Sequence, residues 1–304
     1  MTPSAAPSRT RFLLAFAAIY LIWGSTYLGI RVAVETMPPF LMAGARFAIA
    51  GAILFTLLRA RGAAAPTMAQ IRDHAIVGAG LLLGGNAVVC WAEQKVPSGL
   101  TTLILGASPL VMVLMEWMRP GGTRPAGSLW LGMAAGVGGL FLLLGPGALP
   151  DGTRPPAIYV VVLVLSSTSW WAGSLYGKHL RSGTQPLMGA AIQMLCGSVL
   201  MILTGLVLGE ASRLHFAAIT PQSWLAFSYL VIAGSLIAYP VYIWLLGHST
   251  PARVSTYAYV NPIVAVILGW AVLGEPLTPR ILFAAAIIIG AVAIITIQKA
   301  KAAA

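Results

Sequence analysis

Aromatic and polar side chains recur inside long apolar stretches of this 304-residue sequence, and they are its best candidates for binding a small molecule. At helical spacing they share faces, as Tyr257 does with Asn261 and Val264. Ligand pockets are typically lined by apolar and aromatic side chains with a few polar groups that fix orientation. The predicted substrate-binding residues are Trp23, Asn86, Trp170, Tyr239, Tyr257 and Asn261.

Patterns of catalytic residues are missing from the sequence. It contains no GxxxxGK[ST] phosphate loop, no HExxH motif and no clustered cysteine and histidine ligands. Ser108 in "GAS" has no histidine within an apolar stretch to act as its base. Cys90 and Cys196 lie within apolar stretches, where we expect free thiols. We therefore expect a protein that is not an enzyme and that uses no metal or cofactor.

The composition indicates a protein that lies in a lipid bilayer. Hydrophobic residues make up 59% of the chain and charged residues only 8%, against about 25% charged in soluble domains. The net charge of +11 does not indicate nucleic-acid binding, because the basic residues occur in ones and twos between apolar runs. The expected partners are the bilayer and a small-molecule substrate, with monomer and homodimer both left open.

Ten apolar runs have about the 20-residue length that a membrane-spanning helix needs. Short linkers separate them, and Arg46 interrupts the second. We read the first run as a retained helix, since it is long for a signal peptide and no clear cleavage site follows it. The runs are Phe12–Ile30, Phe40–Leu58, Ala75–Ala92, Gly99–Met115, Ala126–Leu144, Ala157–Gly177, Leu187–Gly209, Trp224–Gly247, Val254–Gly274 and Ile281–Gln298.

Lysine and arginine set the expected orientation, because they concentrate in cytoplasmic loops. Most of them lie at the two termini and in the even-numbered connections between the predicted helices. Both termini are therefore predicted to be cytoplasmic.

Matching residues in the same order indicate that the sequence repeats itself. The matches include tryptophans, prolines and one pair of basic residues: Trp23 and Trp170, Arg31 and Lys178, Pro39 and Pro186, Trp91 and Trp244, Pro109 and Pro262, and Trp117 and Trp270. The predicted repeats are 1–150 and 151–304, with five helices each. An odd number of helices makes the second repeat enter the membrane from the opposite side. The predicted fold is an all-α membrane protein of ten transmembrane helices in two inverted five-helix repeats.

Inverted repeats are typical of secondary transporters, whose substrate site lies near the midplane between the repeats. Two inverted copies of one shape can exchange conformations, which converts an inward-open state into an outward-open state. We therefore predict transport by alternating access around a central, mostly apolar cavity. An enzyme acting on lipid head groups would need clustered Asp, His or Arg, and a receptor would need a longer loop or soluble domain; the sequence shows neither.

Three segments carry a resemblance to a known family: "IYLIWGSTYLGIRVAVETMPPFLMAGARF", "GGNAVVCWAEQKVPSG" and "YAYVNPIVAVILGWAVLGEPLT". They resemble the EamA branch of the drug/metabolite transporter superfamily over nearly the whole chain. The resemblance implies a 5+5 inverted fold, a bacterial inner-membrane location and small-molecule export. It extends to exporters of amino acids, including the aromatic type, and is closer to general metabolite-efflux members. Amino acids of broad specificity are the expected substrate, with drugs or other small metabolites as the alternative.

Three residues are candidates for hinge or gating roles: Pro109, Pro262 and Arg46. A proline inside a helix removes one backbone hydrogen bond, so it either kinks the helix or frees carbonyls toward the cavity. Arg46 either extends to the nearer membrane surface or pairs with a substrate carboxylate, Glu35 or Glu93. No acidic residue falls in the middle of a predicted helix. We therefore expect facilitated, gradient-driven flux rather than a carboxylate proton relay.

Overall fold

The computed structural model describes residues 8–106, 108–118, 127–143, 155–180, 182–249, 251–254 and 256–302, and these residues form no β-strand. Two 3₁₀ turns span Glu210–Arg213 and Phe216–Ala218. The predicted all-helical class is confirmed. The helices are α1 Arg9–Ala33, α2 Pro39–Ala60, α3 Met68–Ala92, α4 Ser98–Gly106, α5 Ser108–Met118, α6 Gly127–Leu143, α7 Ala157–His179, α8 Pro186–Val207, α9 Pro221–His248, α10 Pro251–Val254, α11 Tyr257–Leu273 and α12 Pro279–Ala302.

Six of the described helices are long and apolar enough to cross a membrane: α1, α2, α3, α7, α8 and α9. Three shorter apolar stretches lie within α6, α11 and α12. The predicted fourth run corresponds to α4 and α5, and the predicted ninth run corresponds to α10 and α11.

Polar caps make several helices begin earlier than the apolar runs indicate, as α3 and α9 show. Thr67 Oγ1 accepts from the Gln70 amide, and the Gln70 side chain accepts from the Thr67 amide, which completes a capping box. This moves the start of α3 from Ala75 to Met68. Thr220 likewise caps α9 through the Ser223 amide, and Pro221 at the first helical position needs no amide partner.

Segments of π-helix lie in the middle of α3 and α9. They span Ala79–Ala87 and Leu230–Ala238, and α-helix follows directly in both cases. A π-helix contains more residues per turn than an α-helix, so residues beyond it change face relative to those before it. Each segment contains glycine and alanine, and the two occur at matching places in the two predicted repeats.

The helices pack in pairs around the bundle centre. The most extensive pairing is between α2 and α8, and the others of note join α6 with α12, α3 with α7, and α1 with α11. Gly80 of "GLLLG" allows α3 to approach α7 closely, because a Cβ there would lie 3.0 Å from the Gly173 Cα atom.

Two glutamates, each the last residue of a Leu-Gly-Glu tripeptide, bind the N-terminal amides of another helix. Gly209 and Gly274 take left-handed conformations (φ 72° and 65°) that turn the chain back at the end of α8 and α11. The glutamate that follows then reaches another helix. Glu210 accepts from the amides of Phe40 and Leu41 at the start of α2 (3.3 and 2.9 Å).

Glu275 does the same for α4, whose first amides point at its carboxylate. Its Oε1 accepts from the Ser98 amide and hydroxyl (2.7 and 2.8 Å), and its Oε2 accepts from the Gly99 amide (3.0 Å). A negative charge at a helix N-terminus also interacts favourably with the helix dipole. Both glutamates therefore tie the end of a helix in residues 151–304 to the start of a helix in residues 1–150.

Replacing Glu275 with glutamine is expected to lower the stability of the folded bundle. Hydrogen bonds to a charged group contribute about 1.5–3 kcal/mol each, and the amide would place its own N–H groups against the α4 donors. The measurement is the thermal midpoint in detergent. Glu35→Gln is the matched control, since Glu35 is exposed. Equal midpoints for the two variants would contradict a capping role for Glu275.

Candidate functional site

A cavity lies inside the helix bundle, with about 830 Å³ of space free of protein atoms including its mouth. Residues of α1, α2, α3, α4, α5, α7, α9 and α11 line it. All six residues predicted to bind substrate line this one cavity: Trp23, Asn86, Trp170, Tyr239, Tyr257 and Asn261. Two of the three predicted hinge or gating residues, Arg46 and Pro262, also line it. Their roles in binding and gating stay predictions.

Aromatic rings from both predicted repeats meet at one side of the cavity. The Trp23 ring centroid lies 5.5 Å from that of Trp170, 5.2 Å from that of Tyr257 and 4.8 Å from that of Tyr242. The Trp23 contacts with Trp170 and Tyr257 are edge-to-face, a favoured geometry for aromatic pairs. The two tryptophans matched by sequence are thus in direct contact.

Tyr242 is a part of this cluster that the sequence analysis missed. It is fully buried, accepts from Trp170 Nε1 (3.1 Å), and shares a hydrogen bond with the Ser174 hydroxyl (2.8 Å). These contacts hold the Trp170 indole in place at the cavity edge. A signal was present, because Tyr242 lies three residues after Tyr239 and therefore on the same helical face.

The Tyr239 side chain lines the cavity, and its hydroxyl is hydrogen-bonded to the protein. The hydroxyl donates to Gln193 Oε1 (2.7 Å), and Gln193 Nε2 lies 3.0 Å from His74 Nδ1. The ring also makes an edge contact with Phe47 (6.0 Å between centroids). Tyr239 therefore offers a surface to a ligand and no free hydrogen-bond donor.

The two cavity asparagines, Asn261 and Asn86, differ in the hydrogen bonds that they form. With its amide oriented to satisfy both neighbours, Asn261 donates to the backbone carbonyls of Tyr20 (3.1 Å) and Tyr257 (3.2 Å). Asn261 therefore joins α11 to α1, as polar side chains often do between membrane helices. Asn86 Oδ1 accepts only a weak contact from the Cys90 thiol (3.7 Å). Its amide is more available to a ligand than that of Asn261.

Arg46 lies buried against the cavity with 3% of its surface exposed, so it does not extend to the membrane surface. Its Nε donates to Ser235 Oγ (3.0 Å), and its Nη1 is buried without a hydrogen-bond partner. The structure gives it no ion pair with Glu35 or Glu93; the ion pairs between described residues are Arg72–Asp73 and Arg213–Glu210.

Glu93 is a second buried charged residue without the partners it needs. It is 0% exposed, and neither carboxylate oxygen has a hydrogen bond within the described part of the chain. Arg31 donates to its backbone carbonyl instead. The sequence placed Glu93 at the end of a helix, where exposure is the ordinary expectation, so its complete burial was not foreseen.

Pro262 lies within α11, buried at the cavity, and its ring packs against Gly106 of α4: a Cβ on Gly106 would lie 3.1 Å from Pro262 Cγ. Pro109 lies in the first turn of α5, and its side chain is outside the described residues. Among the residues that are described, no group of three or more His, Cys, Asp or Glu side chains could hold a metal ion.

Known proteins resemble this chain over nearly its whole length. The "Uncharacterized inner membrane transporter YedA" of Escherichia coli K12 is 37% identical over 94% of this chain and 90% of its own. The "Probable amino-acid metabolite efflux pump" of the same strain is 23% identical over 89% of each chain. A protein of known crystal structure superposes with a TM-score of 0.68 at 21% identity, over 97% of this chain and 99% of its own, which is a likeness of fold.

The model of one family matches in two segments, residues 10–145 and 157–297. Together they include all the cavity-lining residues named above. The matched residues contain the three stretches that carry the resemblance, which are those around Trp23, Asn86 and Asn261. This chain belongs to the EamA-like transporter family.

Proposed function

We propose that this membrane transporter exports small metabolites, foremost amino acids of broad specificity that include aromatic ones, by alternating access around the central cavity. The observation that carries the proposal is the cavity itself, which joins the aromatic cluster of Trp23, Trp170 and Tyr257 with the buried charge of Arg46. Aromatic faces favour aromatic and aliphatic side chains and also attract ammonium groups.

The proposed architecture is ten transmembrane helices in two inverted repeats, 1–150 and 151–304, with both termini in the cytoplasm. Three observations support it. The π-helical segments occupy matching places in α3 and α9. The family model matches once in each half. Equivalent helices of the two proposed repeats pack across each other: α1 packs on the π segment of α9, and α7 packs on the π segment of α3.

Two observations support the proposed substrate class: the lining of the cavity and the name of one relative. That relative, 23% identical, is named a probable amino-acid metabolite efflux pump. Efflux of drugs or other small metabolites is the second candidate, because a largely apolar cavity also accommodates such solutes. For energy coupling we propose facilitated flux. Glu93 is the first group to examine if flux depends on a proton gradient, because among the described carboxylates it is the one buried without hydrogen bonds.

Counterflow in proteoliposomes tests the proposal directly. Vesicles loaded with unlabelled neutral and aromatic amino acids should accumulate the labelled amino acid from outside, and a pH gradient should not change the rate. Empty liposomes are the control. Absence of counterflow for every amino acid would contradict the substrate class, and flux of a drug panel in the same vesicles would then support the second candidate.

Alanine at Trp23 should weaken transport without loss of protein from the membrane. Removing the ring takes away contacts with Trp170 and Tyr257, and about 1.4 kcal/mol of lost binding corresponds to a tenfold rise in half-saturating concentration. Alanine at Asn86, Trp170, Tyr239, Tyr257 and Asn261 should alter transport as well. The matched control is Tyr176→Ala on α7, since Tyr176 is 41% exposed and does not line the cavity. Normal transport by all six variants would place the substrate site elsewhere.

A further inference from the structure

Arg46 is the one charged side chain among the described residues that line the cavity. Its guanidinium is held on one side, where Nε donates to Ser235 Oγ and the carbon Cζ lies 4.3 Å from the Phe47 ring centroid. Its Nη1 has no partner and is shielded from solvent. A buried charge is costly unless it is paired and hydrogen-bonded, so this arrangement lacks an anion.

The acidic residues of the described chain do not supply that anion. Glu210 and Glu275 are engaged at the N-termini of α2 and α4, and Asp73 pairs with Arg72. Glu35 is exposed, and Glu93 neither lines the cavity nor forms an ion pair with Arg46. None of these five described carboxylates therefore pairs with Arg46, which leaves its guanidinium open to the anion of a bound ligand.

Arg46 is the cationic donor of the cavity, whereas Trp171 Nε1, which is buried without a partner, and the Asn86 amide are neutral donors, and several hydroxyl protons of the cavity are already used. Four hydroxyls donate to backbone carbonyls three or four residues earlier in their own helices: Thr26 to Trp23, Thr102 to Ser98, and Ser166 and Ser167 both to Leu163. Their oxygens keep lone pairs that can accept a hydrogen bond. The cavity thus offers one strong cationic donor, several hydroxyl acceptors and aromatic faces.

We propose that Arg46 is the carboxylate-binding subsite of this cavity, so that the transported solutes carry a carboxylate. The Nε bond to Ser235 orients the guanidinium and leaves its terminal nitrogens for a paired contact with the two carboxylate oxygens. The hydroxyl acceptors suit an ammonium group and the aromatic cluster suits an apolar side chain. An α-amino acid has all three features. This inference rests on the proposed transport function and specifies which chemical group the site selects.

Binding of L-phenylalanine and L-phenylalaninamide to the purified protein tests the subsite at a mildly acidic pH, because both α-amines are then protonated and the two ligands differ only in the carboxylate. The intrinsic fluorescence of the cavity tryptophans or titration calorimetry gives the affinity. Wild type should bind phenylalanine more tightly than the amide. Arg46→Gln should weaken phenylalanine at least tenfold and leave the amide unchanged or tighter. Arg46→Lys should give an intermediate loss for phenylalanine, since lysine keeps the charge but lacks the planar fork.

Arg59→Gln is the matched control, because Arg59 is exposed in the last turn of the same helix and lies outside the cavity. Thermal midpoint and size-exclusion profile verify that each variant is folded. If Arg46→Gln fails to fold, Arg46→Lys carries the comparison of the two ligands.

Equal losses for both ligands in the Arg46 variants would overturn the subsite. If Glu93→Gln then also weakens both ligands equally, Arg46 is instead a structural partner of Glu93 in another conformation. If wild type instead exchanges only solutes without a carboxylate in counterflow, the subsite and the amino-acid substrate class are wrong, and the second candidate, efflux of other small solutes, stands. If it exchanges no solute, both proposals fail.

Discussion

A bilayer gives the backbone no water to bind, and the rest of this structure depends on that constraint. Each buried N–H and C=O must be satisfied within the protein, which leaves helices as the solution for this apolar chain. Helix ends are the weak points, because their first amides have no partner in the helix. At α2 and α4 the missing acceptors are the carboxylates of Glu210 and Glu275. The need to cap helices thus also joins the second part of the chain to the first.

The same constraint makes polar groups that lack partners informative. Most hydroxyls in the bundle donate to a carbonyl of their own helix, and Gln193 satisfies Tyr239 while it contacts His74. Arg46 Nη1 and the Glu93 carboxylate are different, because both are buried without partners. His74 Nε2, Thr101 Oγ1 and Trp171 Nε1 are also buried without partners, but Arg46 Nη1 is the one among these atoms that belongs to a cationic group lining the cavity. This contrast, more than the size of the cavity, supports a ligand there.

The sequence predicted the composition of the cavity better than the ends of the helices. Helical phase brought Trp23, Trp170 and Tyr257 to one cavity because periodicity decides which face of a helix is buried. Hydropathy placed the start of α3 at Ala75, since it does not register the capping box at Thr67. The π-helical segments were not predictable from a period of 3.6 residues. The partners of Glu210, Glu275 and Arg46 are distant in sequence, so local patterns contain no information about them.

The central claim is that one cavity opens in turn to each side of the membrane. The most direct measurement uses an Asn86→Cys variant in which Cys90 and Cys196 are replaced by alanine, labelled with a small membrane-impermeant methanethiosulfonate. The thiol at position 86 should react in both right-side-out and inside-out vesicles, and phenylalanine should protect it in both. Labelling from one side only, unaffected by phenylalanine, would contradict alternating access around this cavity.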